Sequence, residues 1–277
     1  LIESDVIDPG WAMHERHRWH IILETLAARP VATVAELAAF TGHSAATTRR
    51  DIGKLAQQGL LRRVHGGAEA VKPADEPALA TRAFDVSLAL NLDKKRAIAR
   101  AAAALCADGD SIIINGGTTT FEMVPFLAER RMQVLTNSFV MADALMRSSR
   151  NRILLPGGQI YREQGIIVSP YDDDSLRHHY ASIMFMGAQG IVPLGLMEGD
   201  PLLIRAEQKL LDRAERLVVL VDSSKFRSRG GLILCPLSRI HTIITDDEVD
   251  RKAVEMCRDA GVEVRIVPVA STITSAA

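Results

Sequence analysis

The chain has 277 residues, 47% of them hydrophobic and 4% aromatic, and its 33 Lys plus Arg nearly cancel its 34 Asp plus Glu to leave a formal charge of −1. This length and apolar content suffice for two packed domains and exclude collagen-like or low-complexity chains. The near-neutral total argues against a uniformly basic nucleic-acid binder, and the scarcity of aromatics leaves Ala, Leu, Ile and Val to build a core of helices on a buried parallel sheet. Cys106, Cys235 and Cys257 are far apart, with no second Cys or His at metal-ligand spacing. Neither a disulfide framework nor a metal site is expected, no cofactor is expected, and the cysteine usage fits a cytoplasmic protein. No run of 18 apolar residues occurs and the first residues are acidic (Glu3, Asp5, Asp8), so no membrane partner or signal peptide is expected.

In chain order, residues 1–13 read as a disordered leader. From Arg16 to Gly67 there are eight basic and three acidic residues, a net +5 that the neutral total conceals. A basic module on an otherwise mildly acidic chain points to nucleic acid. Trp19, Ile22, Leu23 and Leu26 fall at helical spacing, and Arg29-Pro30 ends that helix because the residue before proline avoids the α region. Thr33 and Glu36 have the spacing of a capping box, opening a short helix to Phe40; Gly42 turns the chain, and Ser44 caps a third helix from Ala45 to about Gln57.

Helix, tight turn and helix in that order predict a helix-turn-helix over 14–70, whose recognition helix presents its N-terminal turns to base edges. Ser44, Thr47, Thr48, Arg49, Arg50 and Lys54 are the candidate contacts there. Arginine can bond guanine O6 and N7 together, and threonine can touch phosphate or a thymine methyl. Leu60 to Gly67 reads as a short basic hairpin, a wing whose candidates are Arg62, Arg63 and His65. A solvated basic face is the plainer reading of Arg49-Arg50 alone; the capped helix, glycine turn and wing in series favour DNA.

Arg16 to Ile22, Thr33 to Leu37, Ser44 to Ile52 and Leu61 to Ala68 resemble the winged helix of the DeoR family of bacterial transcription regulators. Thr48 departs from the β-branched aliphatic residue that many members carry before the arginine pair. The resemblance implies operator DNA as a partner.

Residues 71–92, with Pro73 and Pro77, read as a linker. Over 93–270, helical and strand patterns alternate. Helices are expected at Lys94 to Leu105, at Thr118 to Glu129 and around 202–213 and 247–260. Strands are expected at Ser111 to Asn115, Gln133 to Thr136, Ile153 to Leu155, Ile183 to Met186, Leu217 to Val221 and Ile243 to Thr245. This alternation predicts a mainly parallel α/β domain with ligands at the carboxyl ends of the strands. Asn115, Gly116, Gly117, Thr118, Thr119 and Thr120 combine backbone amides and hydroxyls suited to a phosphate or carboxylate, without the GK[ST] ending of a nucleoside-triphosphate loop. Thr136-Asn137-Ser138, Gly157-Gly158 and Asp222-Ser223-Ser224-Lys225 follow other strands. Each alone is ordinary turn chemistry; together they suggest one small-anion pocket.

These positions also resemble the DeoR effector domain, whose fold is that of ribose-5-phosphate isomerase. The resemblance implies that Gly116 to Thr120 hold a phosphate, that Asn137, Asp222 and Lys225 border the sugar, and that Glu207 and Lys209 belong to a family segment. Asn115 departs from the usual Asp. With Ala206 to Lys209 and Val221 to Lys225, it looks closer to the branch that regulates L-ascorbate utilisation. The expected effector is a phosphorylated sugar or sugar acid, acting on a homo-oligomeric repressor of a catabolic operon. A sugar-phosphate isomerase fused to a DNA-binding domain is the competing expectation. Isomerisation needs a placed carboxylate base, and the loop Met186 to Gly190 has none; Glu207 and the run Asp172 to Asp174 are the remaining acids, and His178-His179 reads as surface. A vestigial pocket on an interaction module is a third reading.

Overall fold

The computed structural model describes residues 15, 18–23, 25–26, 30–71, 87–88, 90–162, 164–169, 175–228 and 230–269. The leader, Arg16, His17, Arg29, most of the linker and Asp172 to Asp174 lie outside the described residues. Two compact units are present, Leu1–Leu92 and Asp93–Ala277.

In the first unit, helical residues 18–23, 25 and 26 are followed by β1 (Val31–Thr33), α1 (Val34–Thr41), α2 (Ala45–Gln57), β2 (Leu61–Val64) and β3 (Gly67–Ala70). Eight residues are too few for a helix to persist alone. α1 is held by its ends: the Thr33 hydroxyl accepts from the Glu36 amide at 3.2 Å, Glu36 accepts from the Thr33 amide at 2.8 Å, and Gly42 closes the helix at φ 67°. Ser44 caps α2, which buries Thr48, Asp51, Ile52 and Leu55, the i, i+3, i+4, i+7 stripe of an amphipathic helix. The hairpin β2–β3 gains β1 as a third antiparallel strand in the order β1-β3-β2. Gly67 permits that pairing, because a Cβ there would lie 2.2 Å from the Ala32 carbonyl oxygen. Trp19, Ile22, Leu26, Leu37, Ile52, Leu55 and Leu61 fill the core.

The second unit is built on a seven-stranded sheet in which every pairing is parallel. Its strands are β4 (Ser111–Ile114), β5 (Gln133–Thr136), β6 (Arg152–Leu154), β9 (Ala181–Met186), β12 (Ala214–Leu220), β14 (Thr242–Asp246) and β15 (Glu263–Val267). They lie in the order β15-β14-β12-β9-β4-β5-β6. Alternation along each strand feeds two cores. Ile112, Ile114, Phe185, Val218, Leu220 and Ile244 face α3 (Leu92–Ala103) and α6 (Phe139–Ser148). Ile113, Met184, Val219 and Ile243 face α7 (Pro201–Leu211) and Cys257 of α8 (Arg251–Asp259). Burial on both faces explains why these strands read as unbroken apolar runs.

The helix expected over Thr118 to Glu129 is two short ones, α4 (Thr118–Phe121) and α5 (Val124–Leu127). Pro125 has no N–H for the Phe121 carbonyl and its ring clashes there, so the helix restarts instead of continuing. Sequence patterning also passed over α6, β1, β15, the hairpin β7 (Gln159–Tyr161) and β8 (Ile166–Val168), and a second sheet of β10 (Gly190–Val192), β11 (Gly195–Glu198) and β13 (Leu232–Cys235). Among the described residues no helix is long and apolar enough to cross a membrane.

Candidate functional site

On α2 the buried stripe decides which side chains remain outside. Arg49 and Arg50 are exposed and make no hydrogen bond or ion pair among the described residues; Thr47 is half-buried beside them. Thr48 corrects the sequence expectation. It is 1% exposed, and its hydroxyl donates to the Ser44 carbonyl at 3.1 Å, so it belongs to the core-facing stripe and cannot touch a base edge. The Ser44 hydroxyl is engaged as the helix cap, accepting from the Thr47 amide at 3.2 Å. Lys54 pairs with Glu15 and lies 5.9 Å from the centre of the Trp19 ring, which ties α2 to the preceding helix. In the wing, Arg62 is paired at 2.6 Å with Glu69, its partner across the β2–β3 register, whereas Arg63 and His65 are exposed and carry no such partner among the described residues. The Thr47 hydroxyl is bonded to that of Ser44 at 3.0 Å, so among the described residues the unspent groups of this set are Arg49, Arg50, Arg63 and His65.

In the second unit the chain runs outward from β4 through β5 to β6, then returns to the other side of β4 as β9 and runs outward again through β12, β14 and β15. Such a reversal opens a crevice at the carboxyl ends of the two central strands. Asn115 ends β4 there, its amide donating to the Phe185 carbonyl at 2.8 Å. The Asn115 side-chain Nδ2 donates to Glu207 Oε1 on α7, also at 2.8 Å. Asn137, at the end of β5, accepts the Gly116 amide at 2.9 Å through Oδ1. That leaves Asn115 Oδ1, Glu207 Oε2 and Asn137 Nδ2 buried without partners, on residues 1%, 5% and 1% exposed.

Two buried carboxyls, Glu207 and Glu198, lie near enough here to repel one another. Burial, reinforced by the charge of nearby Glu198 and opposed by the Asn115 amide, pushes the Glu207 carboxyl up to about 8. Glu198 is raised too, chiefly by burial; it accepts from Gln189 Nε2 at 2.9 Å and from the Gly199 amide at 2.7 Å, and Lys225 attracts it. Lys225 follows Asp222, which is buried and caps the turn Ser223–Phe226 by accepting from the Ser224 amide at 3.0 Å. Lys209 leans toward the Ser169 carbonyl at 3.5 Å.

Not every predicted pocket residue is free to meet a ligand. Thr120 is fully buried and its hydroxyl donates to the carbonyls of Asn115 and Gly117 at 2.8 and 3.0 Å, so it shapes the loop. Thr119 is buried, and Thr118 and Gly117 are half-buried. Gly158 serves the β7–β8 hairpin, because a Cβ there would lie 2.4 Å from the Val168 carbonyl oxygen, whereas a Cβ on the exposed Gly157 would meet open space. The hairpin is laid against the crevice by the Ile167 amide, which donates to the Asn137 carbonyl at 2.7 Å, and by Ile166, whose Cγ1 would touch a Cβ at Gly116.

Comparison with known proteins agrees with both halves. A DeoR-like helix-turn-helix domain matches residues 18–74, and a DeoR C-terminal sensor domain matches 90–247. The HTH-type transcriptional regulator UlaR is 34% identical over 257 residues in Shigella dysenteriae and in Escherichia coli, covering 91% of this chain and 99% of each relative.

The chain belongs to the DeoR family of transcriptional regulators.

Solved structures overlap it loosely. The sorbitol operon regulator SorC from Klebsiella pneumoniae has a TM-score of 0.40 at 10% identity, over 87% of this chain and 98% of that one. Ribose 5-phosphate isomerase A from Methanocaldococcus jannaschii has 0.37 at 22%, over 49% and 55%. Overlap at this level carries nothing about the site. This DeoR-family chain is a DNA-binding regulator, and the isomerase alternative falls with that assignment. Sequence patterning missed Glu198 and Gln189 as members of the regulator's strand-end cluster. The available signal was Glu198-Gly199-Asp200-Pro201: an acid and a glycine directly before a capped, proline-started helix, with Gly199 so close to Gln189 that a Cβ would lie 2.8 Å from its Oε1.

Proposed function

We propose that this regulator is a repressor of a carbohydrate or sugar-acid catabolic operon, released from its operator by a phosphorylated sugar or sugar acid bound in the strand-end crevice. Arg49, Arg50 and Thr47 read base edges, and Arg63 and His65 on the wing meet the backbone. The loop Gly116 to Thr119 faces the phosphate, while Asn115, Asn137, Glu207 and Lys225 face the carbon chain. One observation carries the effector reading: three buried polar atoms without partners converge at the topological switch point. Each such atom costs about 1–3 kcal/mol, a cost that a ligand's polar groups remove.

The protein acts in the cytoplasm as a homo-oligomer, because one module of +5 charge gives too little affinity at physiological salt and paired modules gain by avidity. Release follows from differential affinity: the effector favours a state that fits the operator poorly. The test is a gel-shift titration alongside thermal melting. A ligand at 100 times its Kd stabilises by about 2.7 kcal/mol, and the same ligand must release the operator. If every phosphorylated sugar and sugar acid tried leaves both melting and operator binding unchanged, the proposal is wrong.

A further inference from the structure

We infer that Lys94 and Arg96, at the start of α3, are the residues through which effector and operator sense one another, because they fasten the beginning of that helix to two of the loops that flank the crevice. The inference rests on the effector reading above. It assigns the transmission to two positioning residues that belong to neither binding site.

A lysine ammonium has three protons to give, and Lys94 Nζ has three oxygens around it: Ser223 Oγ at 3.1 Å, Asp246 Oδ1 at 3.2 Å and Glu248 Oε2 at 2.6 Å. Asp246 is fully buried at the end of β14, and its Oδ2 accepts the Ser223 amide at 2.6 Å. Ser223 is thus held by its backbone and by its hydroxyl, within the run from Asp222 to Lys225. That turn cannot shift without either stripping Lys94 of a bond or drawing α3 with it. Two residues further along, Arg96 Nε donates to Glu122 Oε2 at 3.1 Å. Glu122 follows α4, whose first residue is Thr118, about 6 Å away along a four-residue helix. A displacement at the threonines is therefore delivered to Arg96.

The placement of the two ties converts loop movement into helix movement. Asp222 to Lys225 follow β12 and Thr118 follows β4, and these strands lie on either side of β9, so α3 is fastened across the switch point to both halves of the sheet. Lys94 and Arg96 stand about 200° apart around the helix axis. A change in the separation of the two loops consequently pulls on opposite sides of α3 and turns it. Lys94 also lies two residues past the division between the units, which falls between Leu92 and Asp93. The chain enters α3 through Asn91 at φ 52°, a left-handed turn that asparagine tolerates. Rotation of α3 thus reaches the connection to the DNA-reading unit within one helical turn, through a continuous chain of ion pairs and hydrogen bonds of the kind that carries coupling between sites.

The experiment measures coupling separately from binding. Hexose, hexitol and aldonate 6-phosphates are titrated calorimetrically into the full chain, and the tightest binder is carried forward with a DNA duplex that the wild-type chain selects from a random library. Duplex affinity with and without saturating ligand gives the coupling factor. Arg96→Met and Lys94→Met are each expected to keep the affinity for duplex alone and for ligand alone within about threefold of wild type, while the coupling factor falls at least about fivefold toward one. A purely structural role would instead lower both affinities together with the melting temperature and leave the ratio as it was. Lys94→Met leaves the buried Asp246 without its lysine; should that variant fail to fold, Lys94→Arg keeps the charge, replaces the compact ammonium by a planar fork and is held to the same criterion. Glu122→Gln, on the other side of the second tie, must reproduce Arg96→Met, and the double variant must add nothing to either. A coupling factor unchanged in the folded variants, or one that falls only together with both affinities, overturns the inference and leaves the effector reading intact. A wild-type chain that binds none of the sugar phosphates overturns both.

Discussion

Arg49 and Arg50 owe their freedom to Thr48, Asp51, Ile52 and Leu55, whose burial turns the opposite face of α2 outward. Arg49→Ala or Arg50→Ala is expected to weaken operator binding by about 1–3 kcal/mol, roughly five- to 150-fold, if the guanidinium bonds guanine with two hydrogen bonds. Thr48→Val fills the same buried volume without its hydroxyl and should hold operator affinity within about twofold; fluorescence anisotropy on one labelled operator distinguishes the two outcomes.

Glu207 provides a pH test at the same scale. Its folded-state carboxyl sits at about 8 against an ordinary 4.5. Folding favours the protonated form, so that contribution is fully present below about pH 4.5 and is lost as pH rises through about 8. Glu207→Gln removes the loss, and the variant's melting temperature relative to wild type should rise between about pH 5 and about pH 9. A constant difference would show that Glu207 titrates as an exposed acid does. Chemistry of this kind was partly legible in the sequence. Glu207 stood out through its neighbours in the chain, but its partners lie on other elements, Asn115 just after β4 and Glu198 at the end of β11, and nothing in local spacing joins them to α7.

At the scale of elements, a largely buried ion pair joins two helices of the first unit. Arg18 Nε donates to Asp51 Oδ2 at 2.7 Å, Arg18 Nη2 reaches Oδ1 at 3.1 Å, and Trp19 Nε1 shares Oδ1 at 3.2 Å. These bonds fix α2 against the preceding helix and so aim its arginines. Asp51→Ala leaves Arg18, 11% exposed at its side chain, without its carboxylate; removal of one partner from a buried pair costs about 3–5 kcal/mol. Urea unfolding followed by tryptophan emission should show the loss, and an unchanged midpoint would mean the pair is dispensable. The same scale explains what patterning can read. Ile112 to Ile114 announced a buried strand because three β-branched residues in a row fit a sheet covered on both faces. β1, β7 and β8 are three residues each, too short for any period to show, and the break at Pro125 follows from one ring within an otherwise helical pattern.

For the whole molecule, a chain of formal charge −1 carries a +5 module at one end and a strand-end crevice with two buried carboxyls in the other unit. On the proposed mechanism, binding at the two places is reciprocal: whatever factor the effector takes from operator affinity, operator must take from effector affinity. Calorimetric effector titrations with and without saturating operator measure one factor, gel shifts the other, and unequal values would exclude simple two-state coupling. The operator isotherm should also weaken steeply with salt, with a log–log slope set by the number of phosphates neutralised.

The switch point between β4 and β9 has a further consequence, for how the chain reaches its native state. These central strands pair Ile112 with Ile183 and Ile114 with Phe185, so the middle of the sheet closes a loop of about seventy residues, whereas β4 and β5 pair at short range. Local pairs form early and distant ones slowly. β4 through β6 can therefore assemble while the ribosome is still delivering β9, and the crevice comes into existence only once β9 has docked. A chain interrupted before β9 would carry a finished DNA-reading module with no means of responding to an effector.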